Sequence, residues 1–252
     1  MGRLIALLAL LAGLGAAAPP GAAQDARAAV EAFVARLADV RIADLVIRQT
    51  LTLYHPDGRH PHSTGEQQVF FKLPRRQRVE QTVEGRREVR LAVGDQAWIR
   101  QADGKTYEVP AGGRGSDRTH LLVPFRRSAA DLLAEWRALG VRDDVTHTTR
   151  VGGRAVTVIG ARPGEHDTPA VWLDAERGVL RFITRERLPK GPGVVDVAFS
   201  EHRPLPGGFH FPYRQEAFVD GKLVVLITVR SVAVNTNLPD ALFDPGALAR
   251  ER

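Results

Sequence analysis

The chain has 252 residues and no cysteine, and its 35 Lys and Arg residues against 29 Asp and Glu residues give a net charge of +6. Without cysteine, neither a disulfide framework nor the acylated cysteine of a lipoprotein anchor is possible. The densest basic cluster, Arg75, Arg76 and Arg78, falls in a predicted turn, which does not suit a nucleic-acid-binding helix. The positive charge instead favours anionic lipid head groups or an acidic partner.

The first 23 residues have the pattern of a cleaved export signal. Arg3 precedes an apolar run from Leu4 to Leu14, and a small-residue stretch follows up to Ala23. The apolar run is shorter than the roughly 20 residues that a spanning helix needs. We expect cleavage after Ala23, export as a soluble protein, and one domain formed by residues 24–252.

Two segments have helical periodicity. In residues 26–40, apolar residues recur three and four apart, after a capping Asp25. In the second helix, Ser128 and Asp131 form a capping box, an apolar stripe follows, and Gly140 provides the stop. The sequence therefore predicts one leading and one inserted helix.

In the rest of the chain, apolar and polar residues alternate with a period of two. This pattern predicts short strands that are separated by turns containing Gly, Pro or Asp. Turns such as Glu84-Gly85, Gly94-Asp95 and Asp103-Gly104 are too short for anything but hairpins, so the sheet should be antiparallel. The predicted strands are residues 45–54, 67–73, 77–83, 86–93, 96–101, 105–109, 145–151, 154–161, 170–174, 179–187, 194–202, 209–219 and 222–234.

The last strand is apolar on both faces, so that neither face is suited to water. In a strongly curved sheet, the concave side must be filled by side chains, by helices or by a bound apolar molecule. We therefore predict a hydrophobic cavity beneath a helical lid. Its expected ligand-binding residues are Phe71, Leu91, Trp98, Trp172, Phe182, Val197, Phe199, Phe211, Tyr213, Val225 and Ile227, and the expected lid residues are Leu132, Leu133, Trp136 and Leu139.

Catalytic and metal-binding patterns are missing from the sequence. The eight histidines show neither an HExxH motif nor a pair at helical spacing, and no GxSxG elbow occurs. We expect no enzyme activity, no catalytic residue, no metal and no cofactor.

Several segments, in their order, resemble the LolA/LolB-like lipoprotein-carrier superfamily. They are the Lys-x-Pro strand end and basic turn of residues 65–78, the Gly-Asp turn and aromatic strand of 93–98, and the later segments 171–174, 197–203, 208–212 and 234–243. The resemblance covers nearly the whole chain after the signal. One departure is Leu73, because the lipoprotein chaperones of this superfamily tend to carry Arg before the strand-ending proline.

The resemblance implies an α+β fold, in which an unclosed β-barrel carries a helical lid over a hydrophobic cavity. It also implies a monomeric periplasmic carrier that binds acyl chains of lipids or lipoproteins, and that exchanges them with an inner-membrane donor and an outer-membrane acceptor. The alternative is an envelope sensor or interaction module that binds a protein partner through the same sheet.

Overall fold

A computed structural model describes residues 25–109, 119–122, 124–125, 127–188 and 191–251. The predicted export signal lies outside these residues. The helices are α1 (Ala26–Arg36), α2 (Thr119–Leu122), α3 (Ala129–Ala138) and α4 (Pro245–Arg250). The strands are β1 (Asp44–Tyr54), β2 (Pro61–Lys72), β3 (Arg76–Val83), β4 (Arg86–Val93), β5 (Gln96–Arg100), β6 (Thr106–Val109), β7 (Thr146–Val151), β8 (Arg154–Ile159), β9 (Ala170–Asp174), β10 (Gly178–Leu188), β11 (Gly191–Pro204), β12 (His210–Val219) and β13 (Lys222–Val234).

The strands form one 13-stranded antiparallel sheet in the order β6-β5-β4-β3-β2-β1-β13-β12-β11-β10-β9-β8-β7. It consists of two meanders that are joined by the pairing of the first strand with the last, in which Leu51 lies opposite Ile227. Its two edge strands, β6 and β7, do not pair with each other, so the sheet is not closed. The predicted fold class, an unclosed antiparallel barrel with a helical cover, is confirmed.

Both predicted helix starts are confirmed in detail. The Asp25 side chain accepts a hydrogen bond from the Arg27 amide at 3.1 Å, and Ser128 and Asp131 form the reciprocal capping box of α3. The leading helix ends at Arg36 rather than at residue 40. Sequence periodicity did not predict α2, the 3₁₀ turn at Asp240–Phe243 or α4, each of which is too short to show one.

We call the face of the sheet that packs against α1, α2 and α3 the inner face. One apolar cluster joins α1 and α3 to β8 to β12, and includes Phe33, Trp136 and Phe182. A second cluster covers β1, β2, β12 and β13, and includes Phe125 and Phe211. The half-buried Leu122 of α2 packs against both clusters, so α2 lies at the boundary between them.

The opposite, outer face is covered at one end by the C-terminal segment, which we define as residues 235–251. Its apolar side chains Leu238, Phe243 and Leu248 pack against Val89 and Leu91 of β4. Because successive strand residues point to opposite faces, Val46 joins this outer cluster while its neighbour Leu45 belongs to the inner one.

The start of the C-terminal segment is tied to the sheet by Asp44. Its buried carboxylate accepts hydrogen bonds from the Thr236 amide at 2.7 Å and from the Asn237 amide at 2.9 Å. Burial by itself would raise the pKa of Asp44, but the hydrogen bonds from Thr236 and its neighbours outweigh burial and lower it. The carboxylate therefore stays ionised and holds the segment in place.

Candidate functional site

The structure brings eight of the expected ligand-binding residues to the inner face. In the pairing of the strands, Gln215 of β12 lies opposite both Phe199 of β11 and Ile227 of β13. These three side chains therefore form one row across the inner face. The next row contains Val197, Ala217 and Val225. The inner-face residues among those expected are Phe71, Phe182, Val197, Phe199, Phe211, Tyr213, Val225 and Ile227.

The remaining three lie on the outer face. Leu91 is buried against the C-terminal segment and Trp98 packs beside it. Trp172 packs against Val158, under the guanidinium of Arg181 at 5.3 Å from the ring centroid. The predicted inward orientation of these three residues is thus corrected. The strand period shows which residues share a face, but not which face the helices cover.

A cavity of about 180 Å³ lies on the inner face beneath α2. Val225 and Ile227 form part of its wall and are only half-buried. Apart from one glutamine, the lining is apolar: Leu122, Val197, Phe199, Gln215, Ala217, Val225 and Ile227. An engineered apolar cavity of about 150 Å³ holds benzene, so this one has room for about six carbon atoms.

The expected lid residues of α3 belong to the inner-face core. Leu132, Leu133 and Trp136 are buried, and the half-buried Leu139 packs against them. The helical residue that lines the cavity is instead Leu122 of α2. Leu122 is half-buried and Trp136 is only 1% exposed, so moving Leu122 exposes less new apolar surface than moving Trp136, although Leu121 of α2 is also buried.

Sequence reasoning missed Leu122, Gln215 and Ala217 as lining residues. Leu122 lies in a segment that shows no periodicity. Gln215 and Ala217 follow Phe211 and Tyr213 at alternate positions, so their orientation could have been found from strand phase. Neither is a large apolar residue, so hydrophobicity does not identify either one as part of a cavity wall.

A row of amides crosses the inner face beside the cavity. The Gln49 side chain donates to Gln67, Gln67 donates to Gln81 at 3.2 Å, and Gln81 donates to the Glu88 carboxylate at 3.2 Å. Arg90 donates to the same Glu88 oxygen at 2.7 Å. This polar row therefore ends on β4, in the ion pair between Glu88 and Arg90.

The outer face carries a larger, charged groove of about 450 Å³. Two arginines on its rim are paired with acidic side chains: Arg230 with Glu66 at 2.8 Å, and Arg87 with Glu80 at 3.0 Å. Its mixed charges suit a polar partner rather than hydrocarbon.

His202, at the end of β11, has a side chain that is held neutral. Burial, and secondarily the positive charge of Arg177, lower its pKa from 6.5 to about 4, although Asp174 opposes the shift. Between these two pKa values the unfolded chain binds a proton that the folded protein does not. The free energy of unfolding should therefore fall as the pH is lowered from 6.5 towards 4.

We expect His202→Gln to flatten this part of the stability profile, because the titrating group is gone. Denaturant melts between pH 4 and pH 7 would measure it. His166→Gln is the matched control, since His166 is exposed. Equal pH slopes in the wild type and in both variants would show that His202 does not carry the effect.

Among the described residues, no three His, Asp or Glu side chains are grouped so that they could hold a metal ion. Over the same ranges, none of the helices combines the length and apolar character needed to span a bilayer.

The fold is shared with solved structures of low sequence identity. One, from Vibrio parahaemolyticus, is described as an outer membrane lipoprotein-sorting protein domain (TM-score 0.57, 14% identity, 89% of this chain and 100% of that chain). Another is a DUF1329 family protein from Desulfovibrio piger (TM-score 0.56, 13% identity, 89% and 99%). A LolA superfamily protein from Nitrosomonas europaea is also similar (TM-score 0.54, 11% identity, 86% and 98%).

No protein-family model and no curated protein sequence matches the chain. The resemblance to the LolA superfamily is thus confirmed at the level of the fold.

Proposed function

We propose that the protein is a periplasmic carrier that binds the acyl chains of lipids or lipoproteins on the inner face of its sheet. The observation that carries this proposal is the apolar cavity beneath α2. In this proposal the export signal directs residues 24–252 to the periplasm, where they act as one monomeric domain. The protein would take its cargo from an inner-membrane donor and pass it to an outer-membrane acceptor.

The size of the cavity sets the strength of binding. Each buried methylene contributes about 0.8 kcal/mol, so about six carbons contribute roughly 5 kcal/mol. This corresponds to a Kd of the order of 0.1 to 1 mM. A longer chain must displace Leu122, and each further buried methylene then adds affinity. A half-buried side chain at this position also permits release, because part of Leu122 is already exposed to solvent.

We expect the purified protein to bind a fluorescent fatty-acid probe saturably, and Ala217→Trp to weaken this binding about tenfold or more, since the indole would fill most of the cavity. Fluorescence titration measures both. Ala198→Trp is the matched control, because Ala198 lies on the outer face, opposite Glu216.

The proposal is contradicted if no acyl ligand binds saturably, or if the Ala198 variant loses as much affinity as the Ala217 variant. Both variants should first show the far-UV circular dichroism of the wild type. A loss of binding in a misfolded variant is thereby excluded.

The second candidate is a sensor or interaction module that binds a protein partner. The charged outer groove, with the exposed Arg48 on its rim, favours it. A membrane-protein domain that is captured by the protein without co-purifying lipid, and whose capture is lost in Arg48→Glu, would support it. The Ala217→Trp variant should leave such capture unchanged.

A further inference from the structure

Of the described residues that line the inner-face cavity, Gln215 is the one with a polar side chain. It is 8% exposed, and none of the described residues hydrogen-bonds its carboxamide. The other described lining side chains are apolar. The carboxamide is therefore available to a ligand that enters the cavity.

Four other buried polar residues in this protein are hydrogen-bonded. Asp44 holds the C-terminal segment, Gln49 donates to Gln67, and Thr184 donates to Glu186 at 2.9 Å. Asp174 accepts from Arg154 at 2.8 Å. Gln215 differs from these residues in that its side chain is directed at a space which a ligand can enter.

On the basis of the proposed acyl-binding function, we infer that Gln215 is a ligand-recognition residue that donates a hydrogen bond to the ester carbonyl of a bound acyl glyceride. A carboxamide offers two N–H donors and one acceptor, and an ester carbonyl accepts such a bond. Among the described residues, none that lines the cavity is cationic, so a neutral carbonyl suits it better than a free carboxylate, whose charge would be buried unpaired.

This assignment places the ligand within the cavity. The first atoms of the acyl chain, next to the ester, lie between Phe199 and Ile227, which flank Gln215 in the register. The rest of the chain passes under Leu122. The specificity of the protein is then for the ester linkage, which glycerophospholipids and the diacylglyceryl group of lipoproteins share.

The test compares 1-oleoylglycerol with its ether analogue, 1-O-oleylglycerol, as competitors of a bound fluorescent acyl probe. The ether keeps the chain and the hydroxyl groups but lacks the carbonyl. We expect the wild type to prefer the ester about three- to tenfold, as one hydrogen bond to a neutral group allows. Gln215→Leu should abolish this preference and still bind the ether.

Gln49→Leu is the matched control, because Gln49 is a buried inner-face glutamine whose side chain is already hydrogen-bonded. It should keep the ester preference. Gln215→Leu should also melt at the same or a higher temperature than the ligand-free wild type, since it replaces an unpaired carboxamide by an apolar group of similar size. A marked fall in its Tm would overturn the inference, because it would reveal a structural partner of Gln215.

Other outcomes separate this inference from the proposed function. If the wild type binds the ester and the ether equally, the role of Gln215 is overturned while the carrier function stands. If it binds neither, the carrier function itself fails. A diacylglyceryl lipopeptide and vesicles of phosphatidylglycerol, used as further competitors, distinguish the two sources of the ester. Displacement by either supports the inference, and displacement by neither overturns it.

Discussion

Trp136→Ala should lower the free energy of unfolding by about 3 to 5 kcal/mol, which is the usual cost of removing a large aromatic side chain from a core. Trp136 is 1% exposed and packs in the cluster that joins α3 and α1 to the sheet. Its removal would leave a cavity within the cluster that also contains Leu132 and Phe33. Equilibrium urea denaturation measures the loss.

Trp136→Phe is the matched control. The indole N–H of Trp136 is buried without a hydrogen-bond partner among the described residues, so phenylalanine loses volume but no hydrogen bond. We expect it to cost about 1 to 2 kcal/mol. If the two variants lose equal stability, or if the alanine variant loses less than about 1 kcal/mol, α3 is not held by Trp136 as we describe.

Arg78→Met should cost about 2 to 4 kcal/mol, since it removes the cation at the centre of a buried charge cluster. The side chain of Arg78 is 3% exposed and donates to Glu80 at 2.7 Å and to Glu251 at 2.6 Å. It also reaches the Leu242 carbonyl at 3.3 Å. Methionine keeps the apolar stem but leaves Arg87, at 3.0 and 3.4 Å, as the cation that the partly buried carboxylates of Glu80 and Glu251 must share, so the C-terminal segment should detach before the sheet unfolds.

Arg76→Met provides the comparison for this variant. Arg76 contacts Asp240 at 2.5 Å, but its side chain is 37% exposed and that of Asp240 is 71% exposed, so the pair should contribute less than about 1 kcal/mol. Adding Glu251→Gln to Arg78→Met should recover part of the loss, because it removes one of the two carboxylates that then share Arg87. Hydrogen exchange at residues 238–250 would show the detachment. Equal losses in the two methionine variants would contradict the buried cluster.

These two predictions concern different parts of the proposed carrier. Trp136 fixes α3 to the core, and Arg78 fixes the C-terminal segment to the outer face. Both elements are therefore poor candidates for motion during loading. The short α2 is the better candidate, because its Leu122 lines the cavity and is only half-buried, although its Leu121 is 6% exposed and belongs to the inner core.

The local features of the fold could be predicted from the sequence because they depend on near neighbours. Asp25 and Ser128 start their helices by capping amides two and three residues away. Two-residue turns such as Glu84-Gly85 predicted antiparallel strands, and β3 and β4 pair in this way. The apolar pattern of β13 on both faces correctly indicated a strand with a cavity on one side.

Contacts between distant residues were decided only in the tertiary structure. The pairing of β1 with β13 joins two meanders into one sheet, and no local pattern specifies it. Packing of α1 and α3 on one face and of the C-terminal segment on the other determined that Phe199 faces the cavity and that Leu91, Trp98 and Trp172 do not. The significance of Gln215 also arises there, because folding places its carboxamide in an apolar cavity wall without a hydrogen-bond partner among the described residues.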